Sequence, residues 1–447
     1  MRLSELTIAT VLKPPTQDVE FEHLSIDTRT LQPGDVFVAL LGDNFNGHHF
    51  LEDAKAKGAA AFVISENVET DLPVLKVSDT RLALGQIAAL HRQQFDLPIV
   101  AITGSSGKTT VKEMIASILS QAGNVLATSG NFNNDIGVPL TLMRLSHAHD
   151  FAVIELGANH VGEIAYTTEL VKPQVALINN VAPAHVEGFE SVDGIASAKA
   201  EIYQGLPKDG TAIINADDNY AGFWREQITS KNILSFASLA DADVKGRLLH
   251  ADANGKCRFV LSCPLGECKI NLPLPGCHNV MNALAAASAC YAIGIPLEQI
   301  KAGLESVSPV KGRLQSYPGL QGASIIDDTY NANPGSVTAA LNFLASLSGQ
   351  GIFILGDMGE LGADAESYHA TVGEQAKQLG IHTFLTCGQL SSAATKAFGS
   401  GAMHFTNQAD LMTYLKPLLN EKITCLVKGS RSAHMEDIVS AITEKKV

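Results

Sequence analysis

The sequence predicts an α/β chain of three domains. Three observations carry that prediction. First, an apolar run, Ile99 to Ile102, enters a glycine-rich turn, Thr103-Gly104-Ser105-Ser106-Gly107-Lys108-Thr109-Thr110. A helical pattern leaves it through Val111, Met114, Ile115, Ile118 and Leu119. Second, beyond the punctuated segment Pro309-Val310-Lys311-Gly312-Arg313, strands and helices alternate in the doubly wound manner, without a G-x-G-x-x-G fingerprint. Third, the residues before about Arg81 form a short strand-and-helix unit of their own. The expected domains are therefore 1–81, 82–311 and 312–447. They read as a small α/β N-terminal domain, a central parallel sheet of the P-loop, mononucleotide-binding kind, and a Rossmann-like C-terminal domain.

Composition bounds the class. The 447 residues are 46% hydrophobic and 17% charged, which suits a globular chain with ample core. A net charge of −14 argues against a general nucleic-acid binder. Met1-Arg2-Leu3-Ser4-Glu5 lacks the apolar region of a signal peptide. The Ala-rich run Ala283 to Ile295 is too short and interrupted to span a membrane and reads as a packed helix. Seven cysteines, an odd number, fit reduced thiols in a cytoplasm. Cys257, Cys263, Cys268 and Cys277 cluster, but without the paired C-x₂-C spacing of zinc sites, and read as strand cysteines.

In the first unit, Val36 to Leu40, Ala60 to Ile64 and Leu72 to Val77 read as strands, with a helix from about His49 to Lys57. Two polar segments, Ser25-Ile26-Asp27-Thr28-Arg29 and Gly42-Asp43-Asn44-Phe45-Asn46-Gly47-His48, consist of turn residues, and composition alone leaves them as turns. A helix from about Arg81 to Gln94 leads into the central unit.

There the strand, glycine turn and helix suit phosphate. Backbone amides can turn toward an anion, and the helix N-terminus adds free N–H groups and partial positive charge. Lys108 can reach the terminal phosphates, and the Thr109 hydroxyl can bind magnesium. Ile102 stands where the usual eight-residue pattern has glycine. An amide-rich loop follows, Ser129-Gly130-Asn131-Phe132-Asn133-Asn134-Asp135-Ile136-Gly137. Strand Phe151 to Leu156 carries Glu155 at its end. Strand Val175 to Ile178 runs into Asn179-Asn180-Val181-Ala182-Pro183-Ala184-His185, and Thr211 to Asn215 is a third strand. Ligands of such sheets bind at the carboxyl ends of the strands, where Glu155 and His185 fall. Each alone reads as a capping carboxylate or a loop histidine; together they point to metal binding or catalysis. Lys199, on a helix through Ala196 to Tyr203, reads from its spacing as a solvated helix lysine. Runs Cys257 to Cys263 and Glu267 to Leu272 form a hairpin around Pro264-Leu265-Gly266, and helices follow from His278-Asn279 to about Ile293 and from Leu297 to Ser306.

In the third unit, strand Ala323 to Ile326 precedes Asp327-Asp328-Thr329-Tyr330-Asn331-Ala332-Asn333-Pro334 and a helix to about Leu347. Strand Ile352 to Leu355 precedes Gly356-Asp357-Met358-Gly359-Glu360-Leu361-Gly362 and a helix from about Ala365 to Leu379. Thr383 to Thr386 and Thr424 to Val427 are further strands.

The reading is an ATP-using enzyme with magnesium. Phosphoryl transfer asks for positioning and charge neutralisation, which loop amides, a lysine and metal supply. A GTPase switch would need an Asn-Lys-x-Asp motif, which is absent. A mechanical or transport ATPase would end its second metal strand in aspartate, whereas this strand ends in Glu155.

The turn at 103–110, the Glu155 strand, the His185 loop, Lys199 and the His278-Asn279 helix start resemble the Mur ligase family, over the whole chain and in its three-domain order. That family joins amino acids or peptides to a nucleotide-linked precursor of bacterial peptidoglycan. Asp328 to Pro334, Gly356 to Gly362 and Val427-Lys428-Gly429-Ser430-Arg431 are similar to the family member that adds D-alanyl-D-alanine to UDP-N-acetylmuramoyl-tripeptide. The alternative is the member that adds a diamino acid to the UDP-dipeptide.

The resemblance implies the following site. Lys108, Glu155, His185 and Lys199 are catalytic. Gly104, Ser105, Ser106, Gly107, Lys108, Thr109 and Thr110, with Asn279, Arg313 and Asp327, bind ATP, the last two after domain closure. Two Mg²⁺ ions are implied, one on Thr109 and Glu155, the other on Glu155, His185 and a Lys199 carbamylated by CO₂. Ser25, Asp27, Arg29, Asn46, Gly47 and His48 hold the UDP end of the precursor, and Asn131 and Asn134 face its sugar-peptide. Tyr330, Asn331, Asn333, Lys428 and Arg431 lie on the dipeptide side. The implied enzyme is a cytoplasmic monomer with no nucleic-acid or membrane partner.

Overall fold

The structure, a computed structural model, describes all residues except Thr7, Thr16, Asp43, Ala184, His185, 229–231 and 445–447; for Val186 only the backbone is described. Three main sheets follow one another along the chain.

The first sheet has five strands, in the order Val11–Lys13, Val74–Val77, Ala61–Ile64, Val36–Val38, Leu24–Ser25. Only Val11–Lys13 runs antiparallel. Val36–Val38 and Ala61–Ile64 are buried along their whole length, as apolar strands covered on both faces should be. Leu24–Ser25 and Val36–Val38 are parallel neighbours, so the polar segments that follow them leave from the same edge.

The central sheet has nine strands. Ile99–Thr103 lies between Phe151–Glu155 and Val175–Ile178, all parallel. Glu155 pairs with Ile102 and Ile178 with Thr103, so the glycine turn, Glu155 and Asn179 emerge together at the carboxyl edge. Helix Lys108–Leu119 buries Val111, Met114, Ile115 and Ile118 against the Ala-rich helix His278–Ala292 and helix Leu297–Ser306. Small residues allow close approach there: a Cβ on Gly303 would lie 2.3 Å from the Ile118 Cα. On the other face, Thr80–Arg92 and Glu163–Val171 share an apolar core that continues into the first sheet through Leu3, Phe21 and Val36. An antiparallel ribbon, Val244–Ala251, Lys256–Cys263 and Gly266–Pro275, closes one edge. Its last two strands are the expected hairpin, while Asn232–Ala237 and Val244–Ala251 were not predicted.

The third sheet has six strands, five parallel, with Gln315–Pro318 antiparallel at one edge. Among the described residues no helix is long and apolar enough to cross a membrane.

Candidate active site

The turn 104–107 is held by amides rather than by packing. Gly107 caps the helix at φ 78°, a left-handed conformation that favours glycine. A Cβ there would lie 2.6 Å from both Asn179 Nδ2 and Asn282 Oδ1. Asn180 accepts from Ser106 N at its Oδ1, at 2.9 Å, and from Ser105 N at its backbone oxygen, also at 2.9 Å. Asn179 and Asn180 both donate to Ser106 O, at 2.9 and 3.1 Å. Asn179 also donates to Asn282, and Asn282 to Asn279, which donates in turn to Pro275 O. Asn279, expected at ATP, thus reaches the turn through a relay of two amides.

Lys108 folds back so that Nζ donates to Gly104 O at 2.7 Å. Burial lowers its pKa; the Glu155 charge opposes that shift and Arg313 adds to it. Thr109 Oγ1 donates to Glu155 Oε2 at 2.9 Å, and Asn133 Nδ2 donates to Glu155 Oε1 at 2.8 Å. The carboxylate is only 2% exposed and has one oxygen on helix Lys108–Leu119 and one on the amide-rich loop. Of the loop residues expected to face substrate, Asn134 Oδ1 accepts from Gly137 N at the start of the following helix, and Asn131 is exposed. The residue that turns to Glu155 is Asn133, which sequence reading passed over.

Lys199 departs from what its spacing alone suggests. It lies in the last turn of helix Val192–Ala200 and is 4% exposed, so it is not a solvated lysine. Burial, with the Lys108 charge as a smaller cause, pushes its pKa down to about 7. His185 lies outside the described residues. Among the described residues no three His, Cys, Asp or Glu side chains converge as metal ligands.

The third domain meets this site directly. Arg313 Nη2 donates to Thr109 Oγ1 at 3.0 Å, and its guanidinium lies 4.4 Å from the Tyr330 ring centroid. Asn333 caps helix Pro334–Ser346 through Ser336 N, and its Nδ2 lies 3.3 Å from both Ser105 O and Ser106 Oγ. Asn333, expected on the dipeptide side, therefore touches the glycine turn 104–107. The hydrogen bonds of Asp327 stay within the third domain, where it accepts from the Thr329 amide and hydroxyl. Lys428 is 3% exposed, with Nζ bound to Asp328 Oδ2 at 2.6 Å and to Asn331 O at 2.9 Å. It fixes the Asp328–Asn331 turn and does not face open space. Arg431 is exposed and pairs with Glu436. A cavity of about 440 Å³ opens beside these loops, lined in part by Asn331, Asn333, Glu360, Ser430, Arg431 and His434. Glu360 and His434 hold φ values of 61° and 48°, the left-handed strain that functional loops tolerate.

In the first domain, Arg29 binds Asp27 through Nε and Nη2, which holds the Asp27 carboxyl down at about 2. Ser25 Oγ donates to Asp27 O. His48 Nε2 accepts from Ser65 N at 3.0 Å, so its Nδ1 carries the proton and donates to Asn46 Oδ1. Burial lowers the His48 pKa and keeps this ring neutral. Gly47 packs on the Leu40 backbone, where a Cβ would lie 2.8 Å from its N and O.

Comparison with known proteins agrees along the chain. Residues 20–92 match the family model described as Mur ligase family, catalytic domain; residues 102–290 match the Mur ligase middle domain, and 312–431 the Mur ligase, glutamate ligase domain. The chain belongs to the Mur ligase family. It is 50% identical over 430 residues to the UDP-N-acetylmuramoyl-tripeptide--D-alanyl-D-alanine ligase of Escherichia coli K12, covering 96% of this chain and 95% of that one. It is 43% identical to the ligase of the same name from Haemophilus influenzae, over 100% and 99% of the two chains. A crystal structure of MurF from Acinetobacter baumannii superposes with a TM-score of 0.91 at 38% identity, covering 97% of this chain and 95% of that one.

Proposed function

We infer that this chain is an ATP-dependent ligase that adds D-alanyl-D-alanine to UDP-N-acetylmuramoyl-tripeptide, the last cytoplasmic step in making the nucleotide precursor. The observation that carries this reading is full-length similarity to ligases named for that reaction, at up to 50% identity. The diamino-acid-adding alternative has no comparable support.

The chemistry follows from the substrates. A carboxylate is a poor acyl donor because its leaving group would be oxide. Transfer of the ATP γ-phosphoryl group to the tripeptide carboxylate gives an acyl phosphate. The dipeptide amine then attacks the carbonyl carbon, and the tetrahedral species expels inorganic phosphate as the amide forms. Both first reactants are anionic, so Lys108 and the turn amides must cancel charge where it develops. The Lys108 ammonium, already turned toward the loop, exchanges Gly104 O for a phosphate oxygen. Arg313 delivers a second cation from the third domain, and the amides of Asn179, Asn180, Asn282 and Asn333 hold the turn in shape.

The donors present fit Mg²⁺: the Thr109 hydroxyl and the Glu155 carboxylate are hard oxygen ligands 2.9 Å apart. The ion would supply Lewis-acid charge neutralisation at the phosphates. Lys199 as an ammonium cannot be a ligand. With a pKa near 7 it is partly a neutral amine at neutral pH, the form that adds CO₂ to give a carbamate, and the carbamate is an oxygen ligand. The UDP end is assigned to the shared edge of Ser25–Arg29 and Asn46–His48, and the incoming dipeptide to the cavity at Asn331, Ser430 and Arg431. Incubating the chain with ATP, UDP-N-acetylmuramoyl-tripeptide and D-alanyl-D-alanine should release phosphate and give a UDP-linked pentapeptide by mass. Absence of that product with all three substrates present would reject the reading.

A further inference from the structure

Two thiols outside this site lie almost in contact. Cys277 Sγ and Cys257 Sγ are 3.2 Å apart. Cys277 is exposed and is the residue immediately before helix His278–Ala292. Cys257 is buried near the start of strand Lys256–Cys263. A backbone clasp holds the two segments side by side, Gly276 N donating to Gly255 O at 2.8 Å. Cys290, Cys387 and Cys425 are buried.

We propose that Cys257 and Cys277 are a reversible thiol–disulfide pair, oxidised by hydroperoxide, that turns ligase turnover down. A disulfide S–S distance is about 2.05 Å, so closure asks for about 1 Å of movement. The roles are unequal. Cys277 is open to solvent and meets the oxidant first. Its thiolate attacks the peroxide O–O bond, forming the sulfenic acid and releasing hydroxide, which is protonated to water. Burial and the hydrogen bond with Cys277 push the Cys257 thiol up to about 12, so it keeps its proton until the second step. Cys257 sulfur then attacks the sulfenic sulfur. The hydroxide expelled takes the Cys257 proton as the S–S bond forms. The sum is two thiols and one hydrogen peroxide to one disulfide and two waters.

The link would act on the nucleotide site through Asn279. Asn279 N donates to Gly276 O at 2.9 Å, and its side chain donates to Pro275 O at 2.7 Å. The turn that carries Cys277 is thus the anchor of the amide relay to Ser106. Pulling Cys277 toward the strand shifts that anchor, and misplacement of about 1 Å can cost up to ~10²-fold in rate. The effect on turnover rests on the proposed ligase function; formation of the disulfide does not.

The test treats the reduced full-length chain with hydrogen peroxide, alkylates the remaining thiols after unfolding, and maps peptides by mass while phosphate release is followed. The expected result is a Cys257–Cys277 linked peptide, short by two hydrogens, with turnover reduced about tenfold and both reversed by dithiothreitol. Cys277→Ser should form no link and keep its turnover under peroxide. Cys257→Ala should stop at a Cys277 sulfenic acid that dimedone captures. A link to any other cysteine, or Cys277 over-oxidised while Cys257 still alkylates, overturns the pair. A Cys257–Cys277 link with unchanged turnover overturns the regulation. A chain inactive before oxidation but still forming the link would instead reject the ligase reading.

Discussion

Arg313 donates to the Thr109 hydroxyl at 3.0 Å across 204 residues of sequence, and the same hydroxyl donates on to Glu155 at 2.9 Å. One oxygen therefore joins helix Lys108–Leu119, a carboxylate buried behind it and the third domain. Arg313 Nε is buried without a hydrogen-bond partner among the described residues. Arg313 in this way ties the third domain to the start of helix Lys108–Leu119.

Arg313→Ala should weaken both docking and turnover. Loss of a charge-assisted hydrogen bond costs about 1.5–3 kcal/mol, roughly 10- to 150-fold in kcat/KM for ATP. Arg313→Lys should recover little, because an ammonium cannot keep the planar contact on Tyr330 while reaching Thr109. Steady-state kinetics at varied ATP, with small-angle scattering for compaction, checks this. Unchanged kcat/KM in Arg313→Ala would remove the arginine from the mechanism.

Lys108→Ala should leave the melting temperature within a few degrees of the parent and abolish ligation. Among the described residues its ammonium holds Gly104 O alone, so the fold loses one half-buried contact, while charge developing in the transition state loses a cation. Turnover within tenfold of the parent would contradict the assignment.

Much of the fold was legible because apolar runs buried on both faces leave little choice. Val175–Ile178 and Thr211–Asn215 fall where the pattern puts them. Val244–Ala251 was not legible: most of its residues are exposed and the ribbon beside it supplies the pairing. In the site, Glu155 could be read from its place at the end of a buried strand. The burial of Lys199 could not, since alanines at 196, 198 and 200 mark no single face of its helix. Nor could adjacent asparagines be told apart. Asn133 turns to Glu155 and Asn134 to a helix N-terminus, a difference set by tertiary contact. The amide relay left a sequence signal in Asn279 and Asn282, three apart on one helix face.

Asn333→Ala should cost stability and activity together. The cap it provides is worth about 0.5–2 kcal/mol. The same amide reaches Ser105 and Ser106, so the KM for ATP should also rise several-fold. Asn333→Asp keeps the cap and loses the Nδ2 donor. It should restore the melting temperature and leave the KM raised. If Asp restores both, the contact to the turn is incidental.

Lys199 gives the chain a pH signature. In the folded state it titrates near 7, against 10.5 for an ordinary lysine. Between these values the unfolded chain holds the extra proton, so this group makes stability rise with pH across that window and penalises the fold below it. In carbonate-free buffer, Lys199→Met should flatten that rise when urea midpoints are compared from pH 6.5 to 9.5. Lys199→Ala should be nearly inactive, with partial recovery on adding short carboxylic acids that fill the vacated place. An unchanged pH slope would show the lysine to be charged in the fold.

Acceptor selectivity tests most directly which two substrates the chain joins. Phosphate release from ATP is measured with UDP-N-acetylmuramoyl-tripeptide against D-alanyl-D-alanine, D-alanine, L-alanine and D-glutamate. It is then measured with the UDP-dipeptide against a free diamino acid. A dipeptide offers an amine, an amide and a carboxylate, and groups built to bind them reject acceptors lacking them by factors of about 10⁴–10⁵ in comparable sites. Strong turnover only with the tripeptide and D-alanyl-D-alanine is the predicted result. Strong turnover with the UDP-dipeptide and a diamino acid, and none with D-alanyl-D-alanine, would contradict it.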